Sequence, residues 1–290
     1  MWTPADIPDL TGSTALVTGA SGGIGLPTAL HLAGRGARVT LAVRDLARGE
    51  AAAAAIRARV PYASVEVGRL DLADLGSVRA FAAALDGPLD LLINNAGVAG
   101  IPRRTTVDGF ETQFGTNHLG HFALTGLLLP RLLDRPGARV VTVSSDAHAM
   151  GEIDFGDLGL ERRYGRFSAY GRSKLANLLF TLELQRRAGT RLLSLATHPG
   201  VTATNILRPG VLAGPFTALF RLLFQPPEKG AIPSLYAATS PEVTEGEFIG
   251  PGPRRLVPSA RARDEELARR LWETSEDLTG VRFEVIERHP

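Results

Sequence analysis

Short, mostly apolar segments alternate with helical segments along much of this 290-residue chain. The segments TALVT (14–18), LLI (91–93) and RVVTV (139–143) have the composition of strands that are buried on both faces. Helices between such strands cover both faces of the sheet and join strands that run parallel. The chain has no internal repeat and no obvious linker. The sequence therefore predicts one α/β domain, a doubly wound parallel sheet with helices on both faces.

The alternation predicts the bounds of each strand and helix. The predicted strands cover 13–18, 38–43, 64–67, 89–93, 139–143 and 192–196. The predicted helices cover 25–33, 46–59, 75–85, most of 106–133, and 168–187, and the C-terminal region is mixed. The carboxyl ends of parallel strands share one edge of the sheet, so residues that directly follow strands are the first candidates for a site.

Composition excludes several classes of function. The chain has no Cys, which rules out disulfides and thiolate chemistry, and its six His are too scattered to indicate a metal site. The net charge is +2 and there is no long Lys/Arg run, so we expect no nucleic acid partner. The first residues, MWTPADIPDL, do not resemble a secretion signal, and no apolar run approaches the ~18 residues that indicate a membrane span. We expect a cytoplasmic protein without a membrane anchor.

A glycine-rich loop, TGASGGIG (18–25), follows the first predicted strand and opens the first predicted helix. Glycine lets the backbone turn sharply and lets a pyrophosphate approach the main-chain N–H groups. The helix N-terminus behind the loop adds a favourable dipole. This pattern predicts a Rossmann fold that binds a dinucleotide, although a tight turn without ligand is the alternative. The candidate contacts are Gly19, Ser21, Gly22, Gly23, Ile24 and Gly25.

The residue that ends the second strand favours one form of the dinucleotide. Arg44 stands where an acidic side chain would bind the 2′-hydroxyl of the adenosine ribose, and an Arg there can pair with a 2′-phosphate. Asp45 comes one residue later, and we interpret it as the N-cap of the helix that begins at Leu46. The sequence therefore predicts NADP(H) as the preferred cofactor, with NAD(H) as the alternative.

Small and polar residues follow the later strands as well. An Asn within an apolar helix, as at 117, is costly unless it makes a useful hydrogen bond, and a Ser at the end of the fifth strand can stabilise an oxyanion. Two neighbouring serines, Ser144 and Ser145, stand at that position. The further candidate cofactor contacts are Asp71, Leu72, Asn95, Ala96, Gly97, Pro199, Gly200, Thr202 and Thr204.

Tyr170 and Lys174 form the most suggestive pair. Of 32 Lys and Arg residues, only Lys174 and Lys229 are Lys, so an ammonium at 174 suggests a role that a guanidinium fills poorly. Positions i and i+4 share one helix face, and a nearby ammonium is expected to lower the pKa of a phenol. That would make Tyr170 a proton donor and acceptor near neutral pH. Alone, the pair could equally be a chance feature of an amphipathic helix.

Taken together, these motifs resemble the short-chain dehydrogenase/reductase family over nearly the whole chain. The similarity is carried by TGASGGIG (18–25), NNAG (94–97), Asn117, Ser145, YGRSK (170–174) and HPG (198–200). The segments 108–125 and 170–184 are similar to retinol dehydrogenases and protochlorophyllide reductase-like proteins. The resemblance implies a catalytic tetrad of Asn117, Ser145, Tyr170 and Lys174, with Ser145 chosen over Ser144 because it matches the second Ser of the family's motif.

The resemblance also implies an activity and a partner. It predicts hydride exchange between NADP(H) and a carbonyl or alcohol, with Tyr170 as acid/base and a water held by Asn117 near Lys174. It allows a homodimer or a homotetramer. Membrane-bound members of the subgroup carry an N-terminal anchor that is not found here. A substrate lid is expected at about 201–228, and the apolar stretch 206–224 suggests an apolar small-molecule substrate, although an ordinary core helix is the alternative.

Two rival functions stay open at this stage. The same residues could serve the reduction of a conjugated C=C bond, or the chain could be a regulator that senses NADP(H) without catalysis. We interpret His148 and His198 as structural, because the tetrad already supplies the proton chemistry. Other predicted wall residues of a substrate pocket are Ala149, Met150, Phe155 and Phe167.

Overall fold

The computed structural model describes residues 2–200 and 225–283. These residues form an eight-stranded sheet in the order β3-β2-β1-β4-β5-β6-β7-β8. Its strands are β1 (Thr14–Thr18), β2 (Arg38–Val43), β3 (Val65–Arg69), β4 (Leu91–Asn94), β5 (Arg139–Val143), β6 (Leu193–Thr197), β7 (Phe248–Gly250) and β8 (Arg254–Leu256). All neighbouring pairs are parallel except β7 and β8, which are antiparallel.

Helices pack on both faces of this sheet. They are α1 (Gly25–Gly34), α2 (Leu46–Arg59), α3 (Leu75–Ala84), the single turn α4 (Thr112–Phe114), α5 (Gly120–Leu133), α6 (Arg166–Ala188), α7 (Pro227–Thr239) and α8 (Glu265–Thr279). A π-helical turn, Gly115–Leu119, joins α4 to α5. The predicted doubly wound α/β fold is confirmed. The strand order reverses between β1 and β4, which places a crevice at their carboxyl ends.

The segment predicted to be mostly helical, 106–133, becomes helical at Thr112. Residues 106–111 are not helical, because Thr105 and Glu111 pair as an isolated bridge. The Glu111 carboxylate then caps α4 by accepting hydrogen bonds from the main-chain N–H groups of Gln113 and Phe114. A side chain that caps a helix end holds the preceding backbone out of the helix. Helical periodicity upstream of Glu111 therefore did not decide the local structure.

An aromatic cluster fixes the C-terminal helix on the sheet's outer layer. Trp272 of α8 contacts Phe122 of α5 and stacks on Phe180 of α6, with ring centroids 5.1 and 5.8 Å away. Phe283 packs on the same indole at 4.3 Å. Burial of several large rings contributes much of the packing energy available at this layer, so α8 is held firmly over α5 and α6.

The predicted lid, at about 201–228, lies almost wholly outside the described residues, and Pro227 and Glu228 begin α7. Within the described ranges, no helix is both long enough and apolar enough to cross a membrane.

Candidate active site

A cleft of about 450 Å³ lies at the carboxyl ends of the strands, where the strand order reverses. Most of the predicted cofactor residues line it together. The lining includes Gly19, Ser21, Gly22, Gly23, Ile24, Arg44, Asp71, Leu72, Asn95, Ala96, Gly97, Tyr170, Lys174 and Pro199. Gly25 and Gly200 do not line the cleft, and the predicted contacts Thr202 and Thr204 lie outside the described residues.

The glycine loop leaves no room for side chains at two positions. Gly19 has φ +68°, and a Cβ placed there would lie 3.0 Å from the Cα of Ala96. A Cβ on Gly25 would lie 2.7 Å from both the Asn95 side-chain nitrogen and the Gly19 oxygen. No side chain caps the first turn of α1, so the positive end of its dipole faces the loop without a competing carboxylate. The loop is therefore built to accept an anion against its backbone.

Two arginines stand together at the far end of the cleft. Arg44 lines the cleft, and so does Arg48, one turn later, whose guanidinium lies 3.7 Å from the position that a Cβ on Gly22 would take. The predicted N-cap role of Asp45 is confirmed, because its carboxylate accepts the main-chain N–H of Arg48 at 3.2 Å. Arg48 was not among the predicted contacts. Its place in the first turn of the helix that follows Arg44 was the available signal.

Loop 95–98, between β4 and the following segment, is tied down at its start and at its end. The main-chain N–H groups of Asn95 and Ala96 both donate to the hydroxyl of Thr18, each at 2.9 Å. At the other end, the main-chain N–H of Val98 donates to Asn117 Oδ1 at 2.8 Å. The loop therefore presents Ala96, Gly97 and Val98 to the cleft on a backbone with little freedom.

The Asn117 side chain is fully buried and is occupied by protein partners. Its amide nitrogen donates to the Val98 carbonyl and to the hydroxyl of Ser173, both at 2.9 Å, while Oδ1 accepts from Val98 N–H. Both amide hydrogens are therefore used, so a water could reach this residue only at an oxygen. Gly97 lies beside it, and a Cβ there would be 3.2 Å from Asn117 Oδ1 and 3.7 Å from Lys174 Nζ.

The side chain of Ser145 lies beside the phenol of Tyr170. Burial raises the pKa of Tyr170 above its ordinary value, and the interaction with Ser145 lowers it in part. The sequence predicts that Lys174 lowers the pKa of Tyr170, and that prediction is wrong, because the pKa is raised. Ser144 also lines the cleft, and its hydroxyl donates to the main-chain carbonyl of Lys174 at 2.8 Å, which braces α6 against β5.

Lys174 is almost completely buried, and its ammonium donates to the main-chain carbonyl of Val143 at 2.8 Å. The Nζ atom lies 5.6 Å from the centroid of the Tyr170 ring, so the ammonium and the phenol are neighbours. Burial lowers the pKa of Lys174 to about 8. The side chain therefore carries its charge at neutral pH but releases its proton more readily than an exposed lysine.

The two histidines that we interpreted from the sequence as structural have partners outside the cleft. His148 contacts the Ser145 carbonyl through Nδ1 at 2.8 Å and accepts the main-chain N–H of Ser259 at Nε2. His198 pairs with Asp146 at 2.8 Å. Among the predicted wall residues, Met150 and Phe167 are exposed and Ala149 does not line the cleft. Phe155 packs under the guanidinium of Arg270, 4.0 Å from its ring centroid, and does not line the cleft.

Two observations test whether a dinucleotide fits this cleft. The cradle at Gly19 and Gly25 excludes side chains where a pyrophosphate would press against backbone. The hydroxyl oxygen of Thr116, a residue that lines the cleft, is buried without a protein partner among the described residues. A buried hydroxyl left unpaired is costly unless a ligand completes it. The residues that line the cleft therefore fit a dinucleotide.

The comparisons with known proteins decide the family. The family profile described as short chain dehydrogenase matches residues 13–211. The chain belongs to the short-chain dehydrogenase/reductase family. It is an oxidoreductase that acts on CH–OH or C=O groups, and the family uses NAD(P)(H). The resemblance inferred from the motifs is thereby confirmed.

Several relatives are similar over almost their whole length. The chain is 47% identical to mouse retinol dehydrogenase 12 over 281 residues, which covers 95% of this chain and 89% of that protein. It is 44% identical to human retinol dehydrogenase 13 over 294 residues, with coverage of 97% and 88%. A crystal structure of an uncharacterised protein from Mycobacterium paratuberculosis has a TM-score of 0.82 and 47% identity, covering 97% of this chain and 98% of that one.

Proposed function

We propose that this protein is an NADP(H)-dependent oxidoreductase that interconverts an apolar carbonyl compound and its alcohol, with Tyr170 as the acid/base. One observation carries the proposal. The half-buried phenol of Tyr170, beside Ser145 and near the Lys174 ammonium, opens onto the same cleft as the glycine loop. A proton donor beside a dinucleotide site is the arrangement that carbonyl reduction requires.

Each residue of the tetrad has a distinct task in this proposal. When bound, the nicotinamide supplies the hydride in reduction and accepts it in oxidation. Tyr170 donates its phenolic proton to the carbonyl oxygen as negative charge develops there. Ser145 donates a hydrogen bond to the same oxygen and stabilises that charge. The charge of Lys174 favours the phenolate that Tyr170 becomes once it has given up its proton.

Lys174 and Asn117 have supporting tasks. The Lys174 ammonium can donate to ribose hydroxyls with the hydrogens that Val143 does not take. Asn117 holds Val98, and therefore the wall beside Gly97, through two hydrogen bonds, and a third joins its side chain to Ser173. A proton path through water at Asn117 would use the remaining lone pairs on its side-chain or main-chain oxygen, because its amide hydrogens are already donated.

The preference for NADP(H) rests on Arg44 and Arg48. Two guanidinium groups that line the same cleft, one of them beside Gly22, suit a dianionic 2′-phosphate much better than a neutral hydroxyl. Asp45, the only carboxylate between them in sequence, is engaged at the Arg48 main-chain N–H. A solved structure that is 27% identical, with a TM-score of 0.65, is described as an RhlG/NADP active-site complex from Pseudomonas aeruginosa.

The apolar character of the substrate is proposed from the relatives and from the sequence. Retinol dehydrogenases 12 and 13 are named for an apolar alcohol. The apolar stretch 206–224, in the predicted lid, follows β6 and the Pro199 end of the cleft in sequence. We therefore propose a substrate with a bulky apolar body and a single reacting oxygen.

The test compares wild type with Tyr170→Phe and Tyr164→Phe. Tyr164 is a matched control, because its half-buried hydroxyl bonds to the Ile101 carbonyl and to Gln113, outside the tetrad. NADPH and NADH consumption would be followed with aliphatic, aromatic and steroid-like ketones, with aldehydes including retinal, and with enones. We expect Tyr170→Phe to abolish turnover and to keep NADPH binding, and Tyr164→Phe to remain active.

The outcomes separate the proposal from its rivals. Turnover in Tyr170→Phe near that of wild type would refute the acid/base assignment. Consumption of NADPH with enones alone, yielding the saturated ketone, would favour reduction of a C=C bond. Tight NADPH binding without turnover of any compound would favour a sensor.

A further inference from the structure

His121 is a completely buried histidine that the proposed mechanism does not use. It lies in the first turn of α5, one helical turn after Asn117, and its two ring nitrogens each have a partner. Nδ1 lies 2.9 Å from the main-chain oxygen of Asn117, and Nε2 lies 2.9 Å from the hydroxyl of Thr18. A polar ring buried in an apolar layer must satisfy both nitrogens.

The partners determine the tautomer. A carbonyl oxygen only accepts, so Nδ1 of His121 carries the hydrogen and donates it to Asn117. Burial lowers the pKa of His121 to about 4, so the ring is neutral at physiological pH and Nε2 is an acceptor. The Thr18 hydroxyl must therefore donate to Nε2.

The Thr18 hydroxyl is thereby fully used. It donates to His121, and its oxygen accepts the N–H groups of Asn95 and Ala96 at 2.9 Å each. The Ile93 carbonyl is farther away, at 3.3 Å, so it competes less well for the hydroxyl hydrogen. One donor and two acceptor contacts are the complete set that a hydroxyl can make.

These contacts form a closed ring of hydrogen bonds that includes loop 95–98. Thr18 holds the start of the loop, and the Asn117 side chain holds its end at Val98. His121 is the only one of these residues that joins the two anchors, through the Thr18 hydroxyl on one side and the Asn117 carbonyl on the other. Without the imidazole, each anchor would keep its own loop contacts but would move independently of the other.

We propose that His121 is a positioning residue, which couples the Asn117 turn to the 95–98 loop so that the cofactor wall and the tetrad keep a single relative geometry. This inference rests on the proposed function, since it assigns the ring a role in NADPH binding and turnover. His121 touches neither the reacting atoms nor the cleft, so its effect passes through Asn117 and Thr18.

Two substitutions of His121 open the ring at different points. The amide of His121→Asn is placed to keep the donor near Nδ1 and loses the contact with Thr18. The longer His121→Gln is placed to reach Thr18 and loses the donor to Asn117. The matched control is His118→Gln, because His118 is also buried and lies three residues earlier in the chain. His118 contacts Ser275 of α8 and takes no part in the ring of hydrogen bonds around loop 95–98.

Three quantities would be measured for each variant: the Kd for NADPH by fluorescence, kcat and KM for the carbonyl substrate, and the melting temperature. We expect both His121 variants to raise the NADPH Kd about tenfold, the size of effect that one lost buried hydrogen bond gives, and to lower kcat. The carbonyl KM should stay close to wild type. The control should lower the melting temperature comparably and leave Kd and kcat unchanged.

Hydrogen exchange gives a readout that does not depend on activity. The amides of Asn95 and Ala96 should exchange faster in the His121 variants, because their acceptor loses its fixed orientation, and should be unaffected in His118→Gln. The double variant Thr18→Val with His121→Asn should have an NADPH Kd no higher than that of whichever single variant binds NADPH less tightly. Both changes break the same ring of hydrogen bonds.

The possible failures can be told apart. His121 variants with Kd, kcat and amide exchange equal to those of the control would overturn the positioning role while wild-type turnover still supported the proposed function. A wild-type protein that failed to bind NADPH would overturn the proposed function, and the inference with it. Strictly additive losses in the double variant would show that Thr18 and His121 act separately, which also overturns the ring.

Discussion

Acid should destabilise this protein through two buried histidines, His118 and His121. Burial is the largest cause that lowers the pKa of each, to about 3 for His118 and about 4 for His121, from an ordinary value of 6.5. Both rings are therefore neutral in the folded state down to well below pH 6, whereas the unfolded chain protonates them as the pH falls through 6.5. The unfolded state then binds more protons, so the free energy of unfolding must decrease with decreasing pH.

The size of the effect follows from linkage. Each ring loses about 1.36 kcal/mol of stabilisation per pH unit over the roughly 1.5 units between its ordinary pKa and about pH 5. That amounts to about 2 kcal/mol for each histidine and about 4 kcal/mol for the pair. Against a total stability of about 5–15 kcal/mol for a typical domain, this is a large fraction.

The assay is urea unfolding of wild type, His118→Gln and His121→Asn at about pH 7.5 and about pH 5, because the loss lies between these values. Replacing either ring removes one titrating group, so each variant should lose about 2 kcal/mol less than wild type between the two pH values. His31 is only partly buried and its pKa is also lowered, chiefly by burial, so His31→Gln should reduce the acid-induced loss in the same direction but by less than removal of either fully buried ring. Variants that keep the full wild-type loss would refute the reasoning, because the histidines would then not be the groups that titrate.

Three further predictions concern the cleft and the outer layer. Arg44→Ala and Arg48→Ala should each raise the NADPH Kd about tenfold or more and leave the NADH Kd unchanged, measured by fluorescence titration; equal losses for both cofactors would contradict a 2′-phosphate site. Gly25→Ala should weaken binding of both cofactors by about tenfold or more, because the new Cβ meets the 95–98 loop and the glycine loop at 2.7 Å; unchanged binding would disprove the cradle. Trp272→Ala should lower the free energy of unfolding by about 3–5 kcal/mol, whereas Leu278→Ala, on an exposed part of the same helix, should change it by about 0.5 kcal/mol; similar values for the two would argue against the aromatic cluster.

Much of the site could be predicted because its components are local. The glycine loop, the cap at Asp45 and the one-turn spacing of Tyr170 and Lys174 each depend on residues within a few positions of one another. Parallel strands then bring such segments to one edge of the sheet. The residue at which α4 begins could not be predicted, because Glu111 caps α4 and its bridge to Thr105 holds the preceding residues extended.

The amino-acid sequence by itself determined the fold class, the dinucleotide loop and the family, since these depend on periodicity and on short motifs. Only the tertiary structure decided three other features: that burial raises the pKa of Tyr170, that Arg48 lines the same cleft as Arg44, and that His121 links Thr18 to Asn117. Thr18 and His121 are 103 residues apart. Burial and contacts across such separations exist only once the sheet and its helices have packed, and no local pattern encodes them.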